Sequence, residues 1–378
     1  VRAGNESVLR ARYEDAAFFW EADLKVPLDD FRAQIDKLTF ENRLGSFAQR
    51  ADRIKDVSMK LAASVELTGD EQATLSRAGA LAKFDLSTAM VVELSSLAGT
   101  MAREYALKAG EAPAVADALF EMEKPRSAGD SLPSSTPGAL LALADRFDLL
   151  TAMFAIGAKP TGSSDPFALR RAALGVVSIL RGVPAVAAIS VSDGLDAAAA
   201  RLREQGVEVS GEALASALEF VEGRFGQQLR DEGVSAALVT ALSPSAGTPG
   251  RAAAVLADVE ALRDDEAFRA LVQVTQRITR IVPAGTQPGF DESVFTDEAE
   301  KTLAPLVEAL PDHSGDSLTQ WFADASGLTE PLNRFFDDVL VMADDEALKA
   351  ARLGLLQSVI AKAPAGIDYK ELDRALDV

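Results

Sequence analysis

Arginine carries the planar fork that meets phosphate oxygens two at a time, and two stretches of this chain place arginines on one side of a helix. Over residues 166–181, at about 100° per residue, Arg170, Arg171, Ser178 and Arg181 fall within one stripe about 100° wide. The other positions are almost all apolar (Phe167, Leu169, Ala173, Leu174, Val176, Val177, Leu180), and no acid stands between Asp165 and Asp193. Over 268–281 a second stripe carries Arg269, Gln273, Gln276, Arg277 and Arg280, with no acid between Glu266 and Asp291. Guanidinium forks suit phosphates, and glutamines add neutral donors for sugar or base edges. The competing reading is that these arginines pair with acids of neighbouring helices.

Other chemistry is excluded by what is missing. With no cysteine there is no disulfide framework, thiolate metal site or thiol nucleophile. A single histidine, His313, removes mechanisms that need clustered imidazoles, and its setting Pro311-Asp312-His313-Ser314-Gly315 predicts a solvated turn. No phosphate-binding glycine loop, dinucleotide fingerprint or His-Glu-x-x-His occurs. Three Tyr and two Trp make no stacking platform for single-stranded bases. The adjacent acids Asp264-Asp265, Asp337-Asp338 and Asp344-Asp345 read as solvated helix starts. The net charge of −20 (38 Lys+Arg, 58 Asp+Glu) argues against a polyanionic partner such as DNA. The two acid-free windows argue the other way, because local potential outweighs the total in a large chain.

The elements that must position these residues are helical. Ala and Leu dominate, β-branched runs are scarce, and apolar residues recur every three or four positions, so the expected fold is all-α. The spacing predicts helices over 8–24, 28–44 and 47–65 and two more within 70–110. Pro125, Gly129, Pro133, Pro137 and Gly138 mark an irregular loop. Asp165 is placed to cap the helix 166–181, with Pro166 at its first position. Composition shifts after Ile179, which puts the main boundary near 182–195, and breaks at 243–250, 283–289 and 311–316 separate later helices. No apolar run reaches the roughly 18 residues of a membrane span. The opening Val1-Arg2-Ala3-Gly4-Asn5-Glu6 has no targeting pattern, and the expectation is a piece of a longer cytoplasmic protein.

Several long strings resemble the β subunit of bacterial glycyl-tRNA synthetase. They are Asn5-Glu6, Val8-Leu9-Arg10-Ala11-Arg12, Asp15-Ala16-Ala17-Phe18-Phe19-Trp20 and Asp23-Leu24-Lys25, then Lys83-Phe84-Asp85-Leu86-Ser87-Thr88-Ala89-Met90-Val91 and Ala144-Asp145-Arg146-Phe147-Asp148-Leu149-Leu150. The densest runs from Pro160 to Val176, and the last from Phe335 to Leu348 and over Arg352-Leu353. The similarity is ordered along nearly the whole chain and weakest over 182–262.

The resemblance implies an HD-type helical domain over 1–182, related to metal-dependent phosphohydrolases, a helical connector over 183–262, and an anticodon-binding helical domain over 263–378. It implies a subunit that binds glycine tRNA for aminoacylation within an α2β2 holoenzyme, with ATP and Mg2+ in the partner α subunit and no catalytic residue or cofactor in this part. At places where phosphohydrolases hold metal stand Lys83, Asp85 and Met122, beside Asp145 and Asp148. Carboxylates without imidazole make a poor transition-metal site, so no metal is expected. Where the family favours Asn-Lys-Arg and Asn-Arg-Leu, this chain has Thr275-Gln276-Arg277 and Ala351-Arg352-Leu353, so Arg277 and Arg352 carry the expected tRNA contact. The alternatives are an active HD-type phosphohydrolase and a helical scaffold binding protein only, the latter with Arg170, Arg171 and Arg181 buried in ion pairs.

Overall fold

A computed structural model describes residues 2–377, with side chains from Glu6 onward except Ser7; Val1 and Val378 lie outside the described residues. The fold is all-α, and the strands among the described residues are one short antiparallel pair, β1 (Thr39–Glu41) and β2 (Gly45–Ser46). The chain forms two compact units, residues 1–225 with 247–250, and 226–246 with 251–378.

The first unit contains α1 (Arg2–Asp23), α2 (Leu28–Gln34), the hairpin, α3 (Phe47–Ala62), α4 (Gly69–Ala80), α5 (Ala89–Glu93), α6 (Thr100–Lys108), α7 (Pro113–Glu121), α8 (Thr136–Ala155), α9 (Leu169–Gly182) and α10 (Val191–Glu204). Helix α11 (Gly211–Asp231) carries the chain from this unit into the next. Apolar residues surround α8 on nearly every side, the pattern of a helix at the centre of a core. Helices α3, α4, α7, α9 and α10 pack around it. Two glycines permit the closest approaches. A Cβ on Gly194 of α10 would stand 2.2 Å from the Phe147 ring, and one on Gly175 of α9 would stand 2.4 Å from Arg146 Nε.

Four expectations change here. The predicted helix 28–44 stops at Gln34 and gives way to the hairpin, because Gly45 takes φ +86° and Ser46 with Gln49 forms a capping box that starts α3 afresh. The helix expected from Pro166 begins at Leu169. Asp165 still caps it, accepting from the Leu169 and Arg170 amides at 2.8 and 3.0 Å, but across a left-handed Ala168 (φ 54°) that leaves Pro166 and Phe167 outside the helix. The break expected at 182–195 lies inside the first unit, since Val191, Leu195, Ala198, Ala199 and Leu202 give α10 an apolar face that packs on α8 and α3. Asp337 and Asp338 end a helix rather than start one.

The second unit contains α12 (Ala236–Leu242), α13 (Pro249–Leu262), α14 (Glu266–Ile281), α15 (Glu298–Ala309), α16 (Leu318–Ala325), α17 (Thr329–Asp338), α18 (Glu346–Lys362) and α19 (Tyr369–Leu376). Asp265 and Asp345 cap α14 and α18 as expected. His313 is not solvated. It is 4 % exposed, its amide donates to the Lys362 carbonyl at 2.9 Å, and its ring nitrogens lie 3.0 and 3.1 Å from Asp316 and Asp324. The turn folds back against α16 and the end of α18, so the two carboxylates substitute for water around the imidazole. No helix among the described residues is long and apolar enough to cross a membrane.

Candidate nucleic-acid interface

Asp265 accepts from the amides of Ala267 and Phe268, which fixes the start of α14 and therefore the direction its stripe faces. The apolar side (Phe268, Leu271, Val272, Val274, Ile278) is buried, and Arg269, Gln273 and Arg280 are exposed on the other. Gln276 departs from the expected stripe and is buried. Arg269 turns back along its own helix start, donating to the Arg263 carbonyl at 2.6 Å, with Asp264 at 3.7 Å.

Arg277 is half-buried, its guanidinium carbon 4.5 Å from the centre of the Phe336 ring, and it donates to Asn333 Oδ1 at 3.2 Å. Among the described residues neither Arg277 nor Arg280 has a carboxylate within ion-pair distance. Both line a depression of about 340 Å³ with Phe336, Leu340 and Met342. Leu340 is 74 % exposed and Met342 50 %, unusual for such side chains unless the surface meets something. A guanidinium over a phenyl ring beside bare apolar side chains offers a cation for phosphate and a flat surface for a base. Sequence reasoning missed Phe336, Leu340 and Met342 as site residues, because counting Trp and Tyr left phenylalanine out of the aromatic search. The available signal was Phe335-Phe336 followed by apolar Val339 to Met342.

Arg352 is corrected. It is 6 % exposed on α18, its Nε donates to the fully buried Glu300 carboxylate, and its Nη1 donates to the Leu340 carbonyl at 2.8 Å. Glu300 also closes the capping box of α15. Arg352 therefore braces the backbone under the depression and does not present a cation to solvent.

In the first unit, Arg171 is exposed and has no carboxylate within ion-pair distance among the described residues. Arg170 is half-buried and donates to the Gly162 carbonyl at 2.6 Å. Arg181 is half-buried in the last turn of α9. At about 1.5 Å per residue it stands roughly 15 Å along the axis from Arg171, so this stripe is two sites rather than one patch.

The carboxylates at the phosphohydrolase-like positions face cations. The Lys83 ammonium sits 2.6 Å from Glu123 and 2.9 Å from Asp145. From α3, Arg50 reaches Asp145 at 2.8 Å, and Arg53 grips Asp148 with Nε at 2.6 Å and Nη2 at 3.1 Å. Burial alone would raise the Asp145 pKa, but Lys83 and Arg50 outweigh it and hold it at about 2. Burial would likewise depress the Lys83 ammonium, and Asp145 and Glu123 reverse the sign, so its pKa is raised. Glu123, Asp145 and Asp148 are each committed to an ammonium or guanidinium. Met122 is buried, and its carbonyl accepts from Arg146.

Asp85 differs. Burial pushes its pKa up from 3.8 to about 6, although the Gly99 amide donates to it at 2.7 Å. The protonated form is therefore favoured by folding. That contribution is fully present below about pH 4 and is lost as pH rises through 6, by up to about 3 kcal/mol. Asp85→Asn keeps the acceptor for Gly99 and removes the buried charge. Urea titrations from pH 4 to 7 are expected to show the wild type losing stability across that window more steeply than the variant, with the variant the more stable at pH 7. Parallel curves would show that Asp85 carries no such burden.

The family model described as glycyl-tRNA synthetase beta subunit matches residues 1–243. The glycine–tRNA ligase beta subunit of Shewanella halifaxensis is 37 % identical over 371 residues, covering 95 % of this chain and 52 % of that protein. That of Desulforudis audaxviator is 36 % identical over 95 % of this chain and 53 % of its own length. The chloroplastic/mitochondrial glycine–tRNA ligase 2 of Arabidopsis thaliana is 36 % identical over 97 % of this chain and 34 % of its length. The chain thus spans about half the length of the bacterial relatives it matches and about a third of the plant one. On the family match and these identities together, the chain belongs to the glycyl-tRNA synthetase beta-subunit family.

Proposed function

We propose that the chain is a tRNA-binding part of a glycine–tRNA ligase, holding glycine tRNA while aminoacylation proceeds in an α subunit that carries ATP and Mg2+. The observation that supports this best is the Arg277–Phe336 pair with Arg280, Leu340 and Met342 around it. Two cations with no carboxylate within ion-pair distance among the described residues, in a chain of net charge −20, stand next to a phenyl ring and two exposed apolar side chains. A phosphodiester backbone satisfies the first feature and unstacked bases the second. Arg269 and Gln273 extend the same helix face, and Arg170, Arg171 and Arg181 offer further phosphate contacts in the first unit. Assembly as α2β2 and a cytoplasmic location belong to the same proposal, as does the absence of a metal and of catalytic residues in this part.

The test is a titration of the full-length protein with glycine tRNA at two salt concentrations. Arg277→Glu with Arg280→Glu is expected to weaken binding by about a hundredfold or more near 0.1 M salt. It should also reduce the slope of log K against log salt by about 2, since each phosphate contact contributes about 0.9. Unchanged affinity and slope would remove the α14 surface from the proposal. Metal analysis and a nucleotide hydrolysis assay address the phosphohydrolase alternative, which the cation-filled carboxylate cluster disfavours.

A further inference from the structure

We propose that Met342 is a site of reversible oxidation, and that its sulfoxide weakens the hold of the α14 surface on tRNA. Oxidation of a protein by hydroperoxides falls first on exposed sulfur. This chain has no cysteine, so that chemistry is left to its six methionines. Met90, Met101, Met122 and Met153 are at most 8 % exposed, and Met59 is half-buried on α3. Met342 alone among them is exposed, at 50 %.

The fold holds it there. Val339 and Val341 are buried while Leu340 and Met342 face outward, so burial alternates over 339–342 as it does along an extended segment. Arg352 fixes the Leu340 carbonyl from below at 2.8 Å. Met342 thereby borders the same depression as Arg277, Arg280 and Phe336. A thioether on a solvent-facing position adds nothing to the core, and side chains of this kind serve contact with a partner.

With hydrogen peroxide the sulfur lone pair attacks one peroxide oxygen, and the S–O bond forms as the O–O bond breaks. The transferred hydroxyl passes its proton to the departing hydroxide, which leaves as water. Sulfur gives up two electrons and the peroxide takes them. The product is polar and chiral but carries no formal charge. A base set against it loses an apolar neighbour and buries a strong acceptor, whereas Arg277 and Arg280 keep their charges for phosphate. A dithiol reductant returns the two electrons, becoming a disulfide as the oxygen leaves in water. The chain has no thiol of its own to do this. The oxidation step stands on composition and exposure, and its effect on binding rests on the tRNA reading of α14.

The test treats the full-length protein with hydrogen peroxide under native conditions, removes the peroxide, and combines peptide mass spectrometry with titration by glycine tRNA. Met342 is expected to be oxidised before the other five methionines. Affinity for tRNA should then fall by about fivefold or more, the usual cost of leaving a polar group unpaired at a contact. The slope of log K against log salt should keep its untreated value, because no charge changes. Met342→Leu sets its own affinity, and peroxide should leave that affinity where it was. Methionine sulfoxide reductases with dithiothreitol should restore the oxidised wild type, and its unfolding midpoint should match that of untreated protein. The proposal is overturned by preferential oxidation of another methionine, or by tRNA affinity unchanged once Met342 is oxidised. A lowered slope, a loss that persists in Met342→Leu, no recovery on reduction, or a lowered midpoint overturns it equally. Binding that Arg277→Glu with Arg280→Glu leaves untouched would remove the tRNA reading and this proposal with it. Binding weakened by that pair but insensitive to peroxide removes this proposal alone.

Discussion

Asp148→Ala is expected to lower the stability of the chain by about 3–5 kcal/mol, the usual cost of removing one partner from a buried ion pair. Asp148 has no exposed surface and Arg53 is 1 % exposed. The two make a bidentate contact at 2.6 and 3.1 Å, with Arg50 Nε at 3.4 Å from the same carboxylate. The alanine leaves Arg53 charged, dry and holding only the Leu44 carbonyl and the Gln205 amide oxygen. Asp148→Asn keeps an acceptor for one guanidinium nitrogen and should lose less. Urea unfolding measures both, and an alanine variant within about 1 kcal/mol of wild type would show that water or rearrangement compensates Arg53. The same cluster ties α3 to α8. A loss of tRNA affinity in this variant must therefore be read only where the protein is shown to be folded.

How far the sequence disclosed this molecule depends on whether a feature is written in local spacing. The stripe of α14 and its Asp265 cap lie within one helix, and periodicity alone placed Arg277 and Arg280 on its polar side. The all-α fold followed from the same signal repeated along the chain. The hairpin at Thr39–Ser46 did not, because its two strands are shorter than one period of the helical pattern around them. Periodicity also could not foresee that Arg352 meets Glu300 across 52 residues, or that Lys83 meets Asp145 across 62. Pairing of that kind is a property of the assembled core. Arg277 and Arg352 matched the family pattern equally well, and only burial separates a cation that faces water from one that braces a loop. His313 makes the same point, since a turn-like string says nothing of the helices folded over it.

Arg352→Glu is expected to unfold the second unit under conditions where wild type is folded, because it sets a second carboxylate against fully buried Glu300. A like-charge pair out of water adds repulsion to the loss of the bridge, so the cost should exceed the about 3–5 kcal/mol of a simple deletion. Arg352→Met is the more informative change. It keeps much of the side-chain volume, leaves Glu300 with the Thr296 and Asp297 amides at 2.8 and 2.7 Å, and is expected to cost about 3 kcal/mol. Adding Glu300→Gln removes the stranded charge, and the double variant should regain about 2 kcal/mol, the coupling expected of residues in one network. Binding then separates a brace from a contact. A residue that touches phosphate takes about 0.9 from the salt slope when its charge is removed. Folded Arg352→Met should bind tRNA somewhat more weakly, through the freed Leu340 carbonyl, with the wild-type slope. A slope lowered by about 1 in the folded variant would return Arg352 to the contact surface and make its pairing with Glu300 a feature of the unbound state.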